Sequence, residues 1–288
     1  MSSQTKSTCH PVLITSLTHR TIAADCTSHE IETQNVGSCT CGGGDTECKQ
    51  PPCDATQSAS GCPFTTIHTQ LLLDDCDGHC TADKNRRCKS CYIWFNALCS
   101  CYQNPGSCEK SSNAGSFWIQ INHQLLTSNE AIPSILDLQT KHPSLATYGW
   151  EFGQSSKISD PNSQALVINS AHSITENQIH MHTCAINNDM LKALTDLSTN
   201  LGPAKFNQLT LTQLPGPPGV QVDPVYCRAV QSKNTPVSGQ QVSDDINEVM
   251  GKECKYYVGA AVMRDTNGYT WDCITADSKS TEYKRFCA

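Results

Sequence analysis

Charge is scarce in this chain. Only 16% of its 288 residues are Asp, Glu, Lys or Arg, so Ser, Thr, Asn and Gln must cover most of the surface, a composition common outside the cytoplasm. Basic charge is scarcer still: the net charge is -7 and no run of Lys and Arg exceeds two residues, which leaves no electropositive field for a nucleic-acid backbone. No stretch approaches the roughly 20 apolar residues needed to span a bilayer, so a lipid substrate must be met from water, by peripheral contact. Met1 to Arg20 lacks the apolar core, roughly 7–15 residues long, of a secretory signal, and a start created by processing is expected. No internal repeat is visible.

Cysteine is absent from residues 109 to 183 but abundant elsewhere, and this contrast marks the clearest boundary. Fourteen of the 19 cysteines lie between Cys9 and Cys108. Thiols at such density persist as disulfides or as metal ligands, and an oxidising, extracytoplasmic location follows by default. The odd count leaves at least one thiol unpaired or bonded to another chain. Residues 1–112 therefore read as a cysteine-rich, disulfide-stapled region, whose Cys39-Thr40-Cys41-Gly42-Gly43-Gly44 and Pro51-Pro52-Cys53 runs favour loops. Phe64 to Asp75 and Tyr92 to Cys99 are its two apolar segments. Cys76, Cys80, Cys88 and Cys91 have spacings a zinc ribbon could use, yet so many cysteines crowd the region that disulfides are the simpler reading.

Residues 113–288 read as an α+β domain. Phe117 to Ile121 favours a strand by its β-branched and aromatic content, and apolar spacing predicts a helix over Ala131 to Leu138, with Pro133 in its first turn. Ala165 to Ile168 and Ile179 to Thr183 are strands expected to pair. A helix is expected over Asn188 to Leu201, ended by Gly202-Pro203, and a strand over Val225 to Val230 after the break at Pro215 to Gly219. Ser243 suggests the cap of a helix running to Met250. Asn267-Gly268 between two apolar runs predicts a hairpin whose two turn centres both take positive φ.

The chemistry is concentrated in Gln178-Ile179-His180-Met181-His182. On a strand, side chains alternate, so Gln178, His180 and His182 share one face while Ile179 and Met181 anchor the other in the core. A neutral imidazole can attack phosphorus if an acceptor on its second ring nitrogen fixes the tautomer, and a neighbouring imidazole can position oxygens or carry a proton. The same pair could instead ligate zinc or copper, with Cys184 as a third ligand, or fill a structural role.

The pattern resembles the active strand of the histidine-triad superfamily, with Gln178 in place of the first histidine. Asn169-Ser170, standing ten residues before that strand, makes it similar to one branch, the CDP-diacylglycerol pyrophosphatases; the resemblance covers roughly residues 116 to 275. It implies a histidine-triad-like antiparallel sheet with flanking helices. It further implies a hydrolase of phosphoanhydride bonds that needs no metal or other cofactor and acts on a nucleotide-lipid or other diphosphate small molecule. In that reading His180 is the nucleophile and forms a covalent phosphohistidine. His182, Asn169, Ser170, Asn177, Gln178 and the matching Arg228 meet the substrate's charge. The chain departs from the family where arginines are usual, at Ala171, Ile174 and Asn187, and has Glu176 where the family has Gln. Those departures, with the large cysteine-rich region, keep a second expectation open: a secreted binding or effector protein on the same fold. A metal-dependent enzyme using both histidines as ligands is the third.

Overall fold

The computed structural model describes residues 54–55, 67–68, 106, 108–112, 116–122, 124–130, 132, 134–171, 173, 179–206, 210–212, 225–253, 255–276, 280–283 and 285–288. Nearly all of the cysteine-rich region, with its expected loops, apolar segments and zinc-ribbon spacing, lies outside them. Within that region the strands β1 (Asp54–Ala55) and β2 (Ile67–His68) form a two-residue antiparallel pair. Cys108, at its end, is disulfide-bonded.

The body of the protein is α+β, built on one nine-stranded antiparallel sheet. Its strands in chain order are β3 (Glu109–Lys110), β4 (Trp118–Asn122), β5 (Leu125–Ser128), β6 (Gln164–Ile168), β7 (His180–Ala185), β8 (Thr210–Thr212), β9 (Val225–Ala229), β10 (Val258–Arg264) and β11 (Thr270–Ala276). Across the sheet they lie in the order β3-β4-β5-β7-β6-β10-β11-β9-β8. The expected pairing of the two short apolar runs is present, with Val167 opposite His182 and Leu166 opposite Thr183.

Cross-strand register defines the two faces. Thr183, Leu166, Val262, Asp272 and Arg228 occupy successive partner positions on one face, and His182, Val167, Ala261, Cys273 and Cys227 do so on the other. The first face is covered by three helices: α1 (Ile135–Lys141), α2 (Pro143–Gly153) and α4 (Gly239–Met250). Ile135, Leu138, Leu145, Trp150, Val242 and Ile246 pack there against Leu126, Leu166, Met181 and Ile274. The second face takes α3 (Asn188–Leu201), whose Met190, Ala193 and Leu194 pack with Phe206, Trp271 and Phe286. Burial of both faces accounts for β10 reading as an almost continuous apolar run.

Several boundaries move for local reasons. The first helix begins later than its apolar spacing predicts, because Ser134 caps it by accepting from Asp137 N, while Ser134 Oγ donates to Asp137 Oδ2. The helix α4 starts before Ser243, since the cap is Ser238, whose Oγ accepts from Gln241 N at 3.1 Å. Ser243 is then a buried position within the helix. The α3 helix matches its predicted span, with Asn187 Oδ1 accepting from Asp189 N and Met190 N. No pattern announced α2, whose sequence Pro143-Ser-Leu-Ala-Thr-Tyr-Gly-Trp-Glu-Phe-Gly153 mixes aromatic residues and glycine, both weak helix formers.

The hairpin at Asn267-Gly268 exists, but its turn is wider than the two-residue form. Arg264 and Thr270 close the ladder, Gly268 N donates to Asp265 O and Asp265 N donates to Tyr269 O. Only Gly268, at φ 89°, takes a positive φ, so this is a turn followed by a single left-handed residue rather than a pair of them. Asn267 instead reaches α3, donating from Nδ2 to Ser198 Oγ at 2.8 Å and Thr199 Oγ1 at 3.1 Å.

The chain ends by folding back on the second face. Cys287 is disulfide-bonded to Cys184, Asn187 N donates to Phe286 O, and Ala288 N donates to Ala185 O. A second disulfide, Cys227–Cys273, links neighbouring strands. The closing segment fits because Gly259 has no side chain: a Cβ there would stand 2.1 Å from Thr281 Oγ1 and 3.0 Å from Ile168 O. Gly259→Ala is therefore expected to cost about 1–3 kcal/mol through overpacking, read as a lower midpoint in urea unfolding with an unchanged slope.

Candidate functional site

The strand β7 is fixed at both ends by the segment that carries β5 before its side chains do anything. Ile179 N donates to Ile132 O, Ile179 O accepts from Thr127 Oγ1, and Thr183 N donates to Gln124 O. Ile179 and Met181 are buried in the core of the helix-covered face, as alternation requires. His180 and His182 are both half-buried on the opposite side, with ring centroids 4.9 Å apart and planes at 72°.

His182 has a defined acceptor. Its Nδ1 stands 3.1 Å from Glu282 Oε1. The other carboxylate oxygen, Oε2, accepts from Asn169 Nδ2 at 3.1 Å, and Asn169 Oδ1 in turn accepts from Ser280 Oγ at 2.8 Å and Glu282 N at 3.1 Å. Burial pushes the His182 imidazole down to about 4. The adjacent carboxylate pulls the other way, but desolvation governs, so the ring is neutral at pH 7 and carries one proton. Glu282 decides which nitrogen holds it: Nδ1–H donates to the carboxylate, and Nε2 is left with a lone pair. The arrangement can accept a proton, or attack an electrophile, at one nitrogen.

Asn169 therefore orients Glu282 and is itself nearly buried, with both ends of its amide engaged. Ser170 is fully buried, its Oγ within 2.9 Å of Ser173 Oγ. Asn177 and Gln178 lie outside the described residues. Among the positions where arginine is usual in the resembled family, Ala171 is buried and Asn187 caps α3, so each has a structural task here.

Arg228 corrects an expectation. It lies on the other face of the sheet, and β6, β10 and β11 separate its strand from β7, about 19 Å at roughly 4.8 Å per strand. There its Nη2 pairs with Asp245 Oδ1 at 2.7 Å. Asp245 and Asp272 are both buried, with Gln241 Nε2 donating to Asp272 Oδ1. Burial, then the Asp245 carboxyl beside it, raises Asp272 well above the usual carboxylate range, so Asp272 keeps its proton and shares it with Asp245. Arg228 is the counter-charge of this buried pair rather than a ligand for phosphate at the histidines.

The contributor that local sequence reading missed is Glu282. It lies 113 positions from Asn169, and no spacing rule connects them. The available signal was Cys184, two residues beyond His182, whose partner Cys287 brings the closing segment to β7. That bond also removes Cys184 as a thiolate ligand for a metal. Among the described residues no group of three or more His, Cys, Asp and Glu side chains is placed to hold a metal ion. No described helix is long and apolar enough to cross a membrane. No protein-family model matches this chain, and no curated protein matches it.

Two outcomes follow from these placements. Arg228→Met should lower stability by about 3–5 kcal/mol in denaturant unfolding, because it strands a buried carboxylate; a loss of phosphate-ester binding with stability intact would mean that Arg228 serves the site after all. His182, held near 4 when folded against about 6.5 when unfolded, makes the unfolded chain bind more protons between those values, so stability falls as pH drops from 6.5 to 4. The loss attributable to this ring is up to about 3 kcal/mol, measured as the difference in pH dependence between the parent and His182→Gln.

Proposed function

We propose that this protein hydrolyses a phosphoanhydride bond in a nucleoside diphosphate-lipid or a related diphosphate ester, on a histidine-triad-like α+β domain. The observation that carries this reading is the contact of His182 Nδ1 with Glu282, itself held by Asn169, beside His180 on one strand face. Paired imidazoles with one held as a neutral acceptor suit nucleophilic attack on phosphorus followed by water-driven release.

In the first step a ring nitrogen of His180 attacks the phosphorus nearest the nucleoside. The P–O bond to the bridging oxygen breaks, and the lipid phosphate leaves with the bonding pair. In the second step water attacks the phosphohistidine, Nε2 of His182 takes its proton, and the P–N bond breaks to return neutral His180 and release the nucleoside monophosphate. Glu282 stabilises the transient imidazolium at Nδ1, and Asn169 holds Glu282 in register. Developing charge on the phosphoryl oxygens would fall to strand amides and to Gln178 and Asn177, which the family resemblance assigns to substrate. CDP-diacylglycerol is the first substrate to test, since the Asn169-Ser170 and Gln178 to His182 motifs resemble that branch.

The commitment of Arg228 to Asp245 favours a second reading, in which the same surface binds a partner without turning it over. One assay separates the two: release of CMP from CDP-diacylglycerol by the purified chain in EDTA. His180→Ala should abolish turnover and an acid-labile phosphoryl adduct, and Glu282→Gln should lower kcat by roughly 100-fold with KM little changed. Turnover that survives His180→Ala sinks the covalent mechanism. A parent chain inert towards CDP-diacylglycerol and simpler nucleoside diphosphate esters favours the binding reading.

A further inference from the structure

A second chemical feature lies on the helix-covered face, away from the histidines. The end of α2, the turn at 159–163 and the strands β6, β10 and β11 line a partly open cavity of about 60 Å³. Gln154, Ser159, Gln164, Val262, Arg264 and Thr270 are among its lining residues. Arg264 is 9% exposed, yet its guanidinium meets only neutral acceptors: Nε donates to Thr270 Oγ1 and Nη1 to Asn162 Oδ1, each at 3.2 Å. Among the described residues it forms no ion pair.

The nearby carboxylates are engaged elsewhere. Asp160 accepts from Ser163 Oγ, Asn162 N and Asn162 Nδ2, and Arg264 is the least of the influences that lower its pKa. Asp265, next in sequence, accepts from Tyr269 N and Trp271 Nε1. The Asp160 carboxylate lies within electrostatic reach of Arg264 but forms no ion pair with it, and a nearly buried cation without a contacting counter-ion is stabilised by a further anion.

The remaining donors point to what that is. Gln154 and Ser159 have spent theirs on Trp150 O, Val237 O and Gly153 O. Gln164 accepts from Asp160 N at Oε1, and its Nε2 has no protein partner among the described residues. Thr270 Oγ1 accepts from Arg264, which leaves its hydroxyl proton to donate. Spare hydrogens of a guanidinium, an amide and a hydroxyl thus line one small space. We propose that this cavity binds a small oxyanion of the size of phosphate or sulfate, with Arg264 as its charge partner and Gln164 and Thr270 as its hydrogen-bond donors.

The site does not depend on the histidine chemistry, and the test keeps them separate. The full chain is titrated with inorganic phosphate, sulfate and glycerol phosphate in a bulky sulfonate buffer at constant ionic strength, followed by calorimetry and by the unfolding temperature. Saturable binding is expected, with affinity at least about 10-fold weaker in Arg264→Met and several-fold weaker in Gln164→Leu, and unchanged in His180→Ala. Binding of phosphate but not glycerol phosphate identifies a free ion, whereas equal binding identifies a tethered phosphoryl group, and either supports the site. Absence of saturable binding by the parent, or equal affinity in Gln164→Leu and the parent, overturns the proposal, and the Gln164 variant decides the matter even if Arg264→Met does not fold.

Discussion

The candidate site exists because the last residues of the chain are fastened across the end of β7. Backbone bonds from Asn187 N to Phe286 O and from Ala288 N to Ala185 O, together with the Cys184–Cys287 disulfide, hold residues 280–283 and 285–288 against the second face. That attachment delivers Glu282 to His182 and to Asn169. A disulfide that joins positions 103 apart closes a long loop, and in the chain-entropy account such a closure stabilises by about 4–5 kcal/mol by restricting the unfolded chain. The same covalent bond thus supports the fold and sets the proton on a histidine.

Strand alternation supplies the second constraint. It places Met181 in the core and His182 in a half-buried position one residue away, and it sends Arg228 to the face opposite the histidines. Once there, Arg228 belongs to a different electrostatic problem. Asp245 and Asp272 are buried together, and the energy of two adjacent anions in the core would be prohibitive without a shared proton and a cation. A positive charge that sequence comparison would assign to phosphate is instead used to hold α4 against the sheet.

Much of this was legible in the sequence, in proportion to how local each determinant is. A short apolar run identified β6, alternation placed both histidines on one face of β7, and the Asn/Asp start and Gly202-Pro203 end bracketed α3 closely. The start of α1 was misplaced because apolar spacing alone does not locate a cap, and that of α4 because Ser238 and Ser243 compete for the role and tertiary packing decides between them. Register was not legible at all. Whether residue 227 or 228 faces the histidines depends on the pairing of β9 with β11, a contact between segments separated by a long connection. Glu282 was hidden for the same reason.

Scarce charge sharpens the meaning of the charges that are placed indoors. In a chain with so few ionisable groups, a carboxylate or guanidinium that is largely buried has displaced an apolar residue that would have packed more cheaply. Asp272 and Asp245 resolve this cost by sharing a proton beside Arg228, and Glu282 resolves part of it by accepting from His182 and Asn169. Arg264 is the case left over: its protein partners are neutral, its remaining donors face a small cavity, and Gln164 and Thr270 offer hydrogens to the same space. The most economical completion of that set is an anion from outside the chain, by the same accounting of charge and hydrogen bonds that assigns a single proton to Nδ1 of His182.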